Sequence, residues 1–323
     1  MAGTPADPFP SRPRLVFMGT PDFAVPTLKA LLDHGHTVLA VVTQPDRPKG
    51  RGKKLTAPPV KKLALDRGIV VLQPEKASDE SFCDQVRAKE PDLIVVVAFG
   101  QILKKKLLDI PQWGVVNVHA SLLPNLRGAA PVQWAVLNDE SKTGLTLMLM
   151  DEGMDTGPII FQQEVPVLRD ETAGHLHDRL AVMAGDLMAR SLERMAGRAV
   201  ETTPQDHTKA TYAPKITKDL SLVNWKEEAA KVSARIRGLD PKPGAFTFWQ
   251  GNELKVFAST VIDTNREVGS PGQVIGLREE CLVIRTGRGT VGVRELQYPG
   301  KNRLPAKDFL RGFVIPEGTV LGR

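Results

Sequence analysis

Cysteine is almost missing from this chain. Its 323 residues include two, Cys83 and Cys281, far apart and with no CxxC spacing. That excludes a cysteine zinc site and fits a reducing compartment. Aromatic residues make up only 5%, which argues against a single-strand reader built on base stacking. The longest apolar runs, such as residues 93–100, fall far short of the roughly 20 residues that cross a membrane, so no membrane association is expected. The first predicted strand ends in Met18-Gly19-Thr20-Pro21-Asp22-Phe23 with a single glycine. Without GxGxxG, the pyrophosphate turn of a dinucleotide-dependent oxidoreductase is missing. There is no HExxH, and His175 and His177 are two apart on a predicted helix, so they point to different faces. No metal is expected. The start, MAGTPADPFPSRPR, has no apolar signal core, and residues 1–13 read as a disordered, proline-rich leader.

What is present is ordinary in bulk: 41% hydrophobic and 25% charged residues, a globular composition long enough for two domains. The formal charge of +6 is distributed unevenly. Residues 1–203 carry 24 basic and 24 acidic side chains, and residues 204–323 carry the whole excess. Within the neutral part, residues 47–62 (RPKGRGKKLTAPPVKK) hold seven bases and no acid. A basic loop on an acidic body, joined to a basic second part, suggests a face built for a polyanion, although charge alone favours a solvated loop.

Seven β-branched runs alternate with helical stretches over the first two hundred residues. Several, such as LIVVVAF, are apolar at consecutive positions, as in strands buried on both faces of a parallel sheet. The expected fold is α/β, a doubly wound (Rossmann-like), mostly parallel sheet with ligands at the carboxyl ends of its strands. Residues 14–203 would form this catalytic domain. The polar stretch 204–218, with Pro204 and Pro214, reads as a linker. Residues 219–323 show one helix, with Val232, Ile236 and Leu239 on one face, and five short strands separated by turn signals. A small OB-like β-barrel is expected there.

Chemistry gathers at three strand ends. Asn117-Val118-His119 closes one strand, and period two puts Asn117 and His119 on the same side. Asp155 sits in DEGMDTG, directly after another strand. Leu122, Leu123 and Pro124 form an apolar segment suited to a flat ligand. Singly, the histidine reads as structural and the aspartate as a turn former. Together, an amide, an imidazole and a carboxylate can make one general acid–base site.

These residues carry a resemblance. NVHASLLP and GLTLMLMDEGMDTGPII resemble the folate-dependent formyltransferases; MGTPDFAVPTL, TQPDRPKGRGKKL, VVVAFGQIL and RGAAPVQWA are similar to the branch that acts on initiator Met-tRNA. The resemblance implies formyl transfer from 10-formyltetrahydrofolate to the α-amine of the tRNA-borne methionine. It implies Asn117, His119 and Asp155 as the catalytic set, Ser121, Leu122, Leu123 and Pro124 as folate contacts, and Phe99 to Leu103 near the pterin. It further implies Arg51, with Lys49, Lys53 and Lys54, as the tRNA-binding loop of a monomeric, cytoplasmic enzyme. The rival within the family is a transferase acting on a small amine or amino sugar. A rival from another class, a non-catalytic RNA-binding protein, would have no need of NVH and MDEGMDTG.

Overall fold

The computed structural model describes residues 7–49, 54–265 and 269–322. They fall into two compact units that are not contiguous in sequence: Met1–Gly128, Gly144–Val165 and His177–Tyr212 form the first; Ala129–Thr143, Pro166–Leu176 and Ala213–Arg323 form the second.

In chain order the first half runs β1 (Arg14–Gly19), α1 (Val25–Asp33), β2 (Thr37–Val42), β3 (Arg47–Lys49), β4 (Lys54–Thr56), α2 (Pro59–Asp66), β5 (Val71–Leu72), α3 (Glu80–Arg87), β6 (Leu93–Val97), α4 (Lys105–Leu108) and β7 (Val115–His119). It continues through α5 (Pro131–Leu137), β8 (Lys142–Leu149), β9 (Ile159–Pro166) and α6 (Ala173–Met195). Seven strands make one sheet in the order β5-β2-β1-β6-β7-β8-β9. Pairing is parallel from β5 to β7, and β8 runs antiparallel to β7. All five residues of β6 are buried, as its unbroken apolar run requires of a central strand. One face packs Met18, Phe82, Cys83, Ile94, Val96 and Leu107 into a common core. The chain winds outward from β1 to β5 and then returns to β6 beside β1. The carboxyl ends of β1 and β6 therefore flank the switch point, where a doubly wound sheet opens a crevice.

The leader reading needs correction where the structure describes it. Phe9 is 1% exposed and meets Trp113 edge-on at 5.3 Å. Its N–H donates to Arg198 O and its carbonyl accepts from Gly197 N. One aromatic side chain with a place to bury is enough to dock a segment whose composition reads as disordered.

The second unit adds α7 (Ala229–Gly238), β10 (Ala245–Trp249), β11 (Asn252–Asp263), β12 (Val274–Arg278), β13 (Cys281–Arg285), β14 (Thr290–Gln297), β15 (Leu304–Pro305) and α8 (Ala306–Gly312). Its strands pair antiparallel in the order β10-β11-β14-β13-β12, with β15 against β14. Gln250 and Gly251, at φ +50° and +73°, make the two-residue hairpin that their sequence announces. Val232, Ile236, Leu239, Trp225 and Trp249 join the core of this unit. Among the described residues no ladder joins β10 to β12. The expected strands are thus present as an antiparallel sheet, and the C-terminal segment touches both outer strands, through the Val320–Gln273 bridge and a Gly322 N–H donating to Phe248 O. Buried polar groups tie α5 to this unit: Arg237, 6% exposed, pairs with Asp139 at 2.7 Å and donates to Glu171 O.

Candidate active site

β7 delivers two of the three predicted groups. Asn117 and His119 share a face by strand alternation, and His119 is 6% exposed. The His119 Nε2 lies 3.0 Å from the Leu126 carbonyl. A carbonyl only accepts, so Nε2 carries the proton in this arrangement. Nδ1 then faces Asp155, with Oδ1 at 3.7 Å, a separation longer than a direct hydrogen bond. The other carboxylate oxygen, Oδ2, accepts from the Gly128 N–H at 2.8 Å. The Asn117 carboxamide, half-buried, has no hydrogen-bond partner among the described residues. An amide so placed, on the same strand face as the imidazole, is free to donate to a ligand oxygen.

The loop that carries Asp155 is shaped by its neighbours. The Asp151 Oδ1 accepts from Gly153 N at 3.0 Å and from the Thr156 hydroxyl at 2.6 Å, closing the turn on itself. A Cβ at Gly157 would stand 1.8 Å from Leu149 O, so glycine is required there by close backbone approach. Asp155 itself sits at φ +55°, a left-handed conformation that costs a non-glycine residue about 1–2 kcal/mol.

Ser121, Leu122, Leu123 and Pro124 follow β7 directly and are organised by one buried hydroxyl. Thr146 Oγ1 donates to Ser121 O at 2.7 Å and accepts from Leu123 N at 3.1 Å and Gln162 Nε2 at 3.0 Å. Gln162 Nε2 also donates to Leu123 O at 2.8 Å. At the switch point, the Phe99 carbonyl accepts from Thr20 Oγ1 at 3.0 Å and Gln44 Nε2 at 3.3 Å. Leu103 is buried, whereas Ile102 is 84% exposed.

Of the predicted basic loop, Arg51 and Lys53 lie outside the described residues. Lys49 and Lys54 pair across the two-stranded ladder β3–β4, and Lys54 is exposed. The base of this ribbon is anchored: Lys61 Nζ donates to both Asp46 oxygens at 2.9 Å and to Gln73 Oε1 at 2.7 Å. Gln73 Nε2 donates to Asp46 Oδ1 at 2.8 Å. The ammonium of Lys61 and the Gln73 amide hold the Asp46 carboxyl below the usual carboxylate range.

Sequence reasoning passes over Thr146, Gln162, Gly128 and Gln205. Their partners are 16 to 78 residues away, and nothing local marks them. Among the described residues, no three His, Cys, Asp or Glu side chains gather where a metal ion could be held.

Residues 13–192 match the family model described as formyl transferase. The chain belongs to the formyl transferase family. The C-terminal domain of the formyl transferases matches residues 215–314. A methionyl-tRNA formyltransferase of Alkaliphilus oremlandii is 43% identical over 310 residues, 96% of this chain and 99% of the relative. Another, from Pelotomaculum thermopropionicum, is 48% identical over 309 residues, 96% of this chain and 98% of the relative. Among solved structures, HypX from Aquifex aeolicus in complex with tetrahydrofolic acid aligns at TM-score 0.65 and 19% identity. It covers 94% of this formyl transferase and 48% of its own chain, a likeness of fold.

Proposed function

We propose that this formyl transferase moves a formyl group from 10-formyltetrahydrofolate to the α-amine of methionine carried by initiator tRNA. Near-full-length identity of 43–48% to proteins named for that activity supports the reading. The observation that carries it is the Asn117 amide, unpartnered among the described residues, on the same strand face as His119, whose Nδ1 faces Asp155.

The donor supplies an activated formyl carbon. A bond from that carbon to the amine forms, the bond to the donor nitrogen breaks, and one proton passes from the amine to the departing nitrogen. Asn117 donates to the formyl oxygen as it gains charge, a contribution of about 3 kcal/mol. His119 keeps its Nε2 proton on Leu126 O and takes up the travelling proton at Nδ1. Asp155 balances the charge so created and fixes the ring. Ser121, Leu122, Leu123 and Pro124 contact the folate, beside the crevice at Phe99.

Arg51, Lys49, Lys53 and Lys54 grip tRNA phosphates, with Arg51 entering the acceptor end. The second unit, an OB-like arrangement, supplies further basic surface for the same RNA. The protein acts as a cytoplasmic monomer. The test offers initiator Met-tRNA, free methionine and an amino-sugar nucleotide to the protein with 10-formyltetrahydrofolate. N-formylmethionine should form on the tRNA, at a rate that falls steeply with salt. Comparable formylation of either small amine would overturn the assignment.

A further inference from the structure

The third catalytic group is held from a direction that the motifs do not announce. Arg127 is 3% exposed and has no carboxylate partner among the described residues. Its guanidinium donates instead to Gln205 Oε1, through Nη2 at 2.6 Å and Nε at 3.2 Å, and to His207 Nδ1 at 3.0 Å. Gln205, 6% exposed, donates from Nε2 to the backbone carbonyls of Asp155 at 2.9 Å and Gly157 at 2.7 Å. Both acceptor positions and both donor positions of that amide are used. Its orientation is therefore fixed: turned over, it would set NH₂ against a guanidinium and oxygen against two carbonyls.

The two ends of Asp155 are thereby gripped by one short stretch of chain. Gln205, oriented by Arg127, holds the Asp155 backbone in its left-handed conformation. Gly128, the next residue after Arg127, holds the carboxylate through its N–H. The stretch is itself pinned, since Leu126 N donates to Thr211 Oγ1 at 2.8 Å and Arg127 N to Thr211 O at 2.9 Å. The Leu126 carbonyl in turn accepts a hydrogen bond from His119 Nε2. A strained, exposed-side loop needs such support to present its carboxylate at a constant place.

We propose that Arg127 and Gln205 are positioning residues for formyl transfer, acting on Asp155 through the Gln205 amide. This rests on the reading of Asp155 as catalytic. The sharpest variant is Gln205→Glu. It keeps the side-chain shape and strengthens the bond to Arg127, but it replaces a two-fold donor with an acceptor facing two carbonyls. Displacing a reacting group by about 1 Å costs on the order of 100-fold in rate.

The experiment measures kcat and KM for both substrates, per folded molecule, in Gln205→Glu, Arg127→Lys, Asp155→Asn and the double variant Gln205→Glu/Asp155→Asn. Folding is checked by circular dichroism. Positioning predicts that Gln205→Glu lowers kcat about 30- to 100-fold with KM values within threefold. It also predicts less than threefold further loss when Gln205→Glu is added to Asp155→Asn. If Gln205→Glu fails to fold, Arg127→Lys, which keeps the charge but not the two-point contact, must show the same loss confined to kcat. Normal kcat with lowered stability, or full additivity in the double variant, overturns the proposal. Near-normal turnover in Asp155→Asn alone would instead overturn the catalytic reading on which it rests.

Discussion

Thr146 offers a sharp test of how the folate-facing segment is built. It is fully buried, and its hydroxyl is the sole partner found for the Leu123 N–H and the Ser121 carbonyl among the described residues. Gln162 would lose one bond but retain Leu123 O. Thr146→Val keeps the volume and removes the hydroxyl, orphaning two buried backbone groups at about 1–3 kcal/mol each. Allowing for partial relaxation, the loss should be about 3 kcal/mol. Thr146→Ser retains the hydrogen bonds and forfeits one buried methyl, about 1 kcal/mol. Urea unfolding followed by circular dichroism reads the stability difference. Steady-state kinetics should show KM for the formyl donor rising several-fold in Thr146→Val, with kcat for tRNA changed little. Equal stability of the Val and Ser variants, with an unchanged donor KM, would refute the view that this hydroxyl shapes residues 121–124.

Two further outcomes follow from the geometry. Gly157→Ala should abolish activity and destabilise the first unit by about 3 kcal/mol or more, because its Cβ meets the Leu149 carbonyl rather than a movable side chain; thermal melting and a formylation assay check this. The Asp46 carboxyl is depressed by Lys61 and Gln73. Its contribution is present above the ordinary carboxylate range and is lost as pH falls through the depressed value. Unfolding of the protein and of Asp46→Asn, compared from pH 7 down to acid, should therefore differ at neutrality and converge at low pH.

The strands of the first sheet are legible because burial on two faces forces consecutive apolar residues. β6 (Leu93–Val97) begins where the apolar run 93–100 places it, and β1 ends at Gly19 as the sequence predicts. Short elements are not legible in that way. α4 is a single turn, and α8 (Ala306–Gly312) follows Pro305 in a stretch with too little period to declare itself. The β3–β4 ladder is stabilised by pairing rather than composition, so proline and glycine make it read as a loop. At the site, Asn117 and His119 are visible because alternation alone brings them together. Asp155 is visible only as a residue in a tight turn; its meeting with His119 needs the β7–β8 register. Gln205 and Thr211 leave no trace in sequence, since their stretch has the polarity of a linker and only the fold brings them against Arg127 and Leu126.

The Asn117 amide has no hydrogen-bond partner among the described residues and so has little to contribute to stability. Single-turnover transfer of a labelled formyl group to initiator Met-tRNA, with saturating substrates, compares the protein with Asn117→Ala at matched melting temperature. The predicted result is a rate lower by about 100- to 1,000-fold, the loss of one transition-state donor. A rate within threefold of the unsubstituted protein would contradict the assignment of this strand end as the site of formyl transfer.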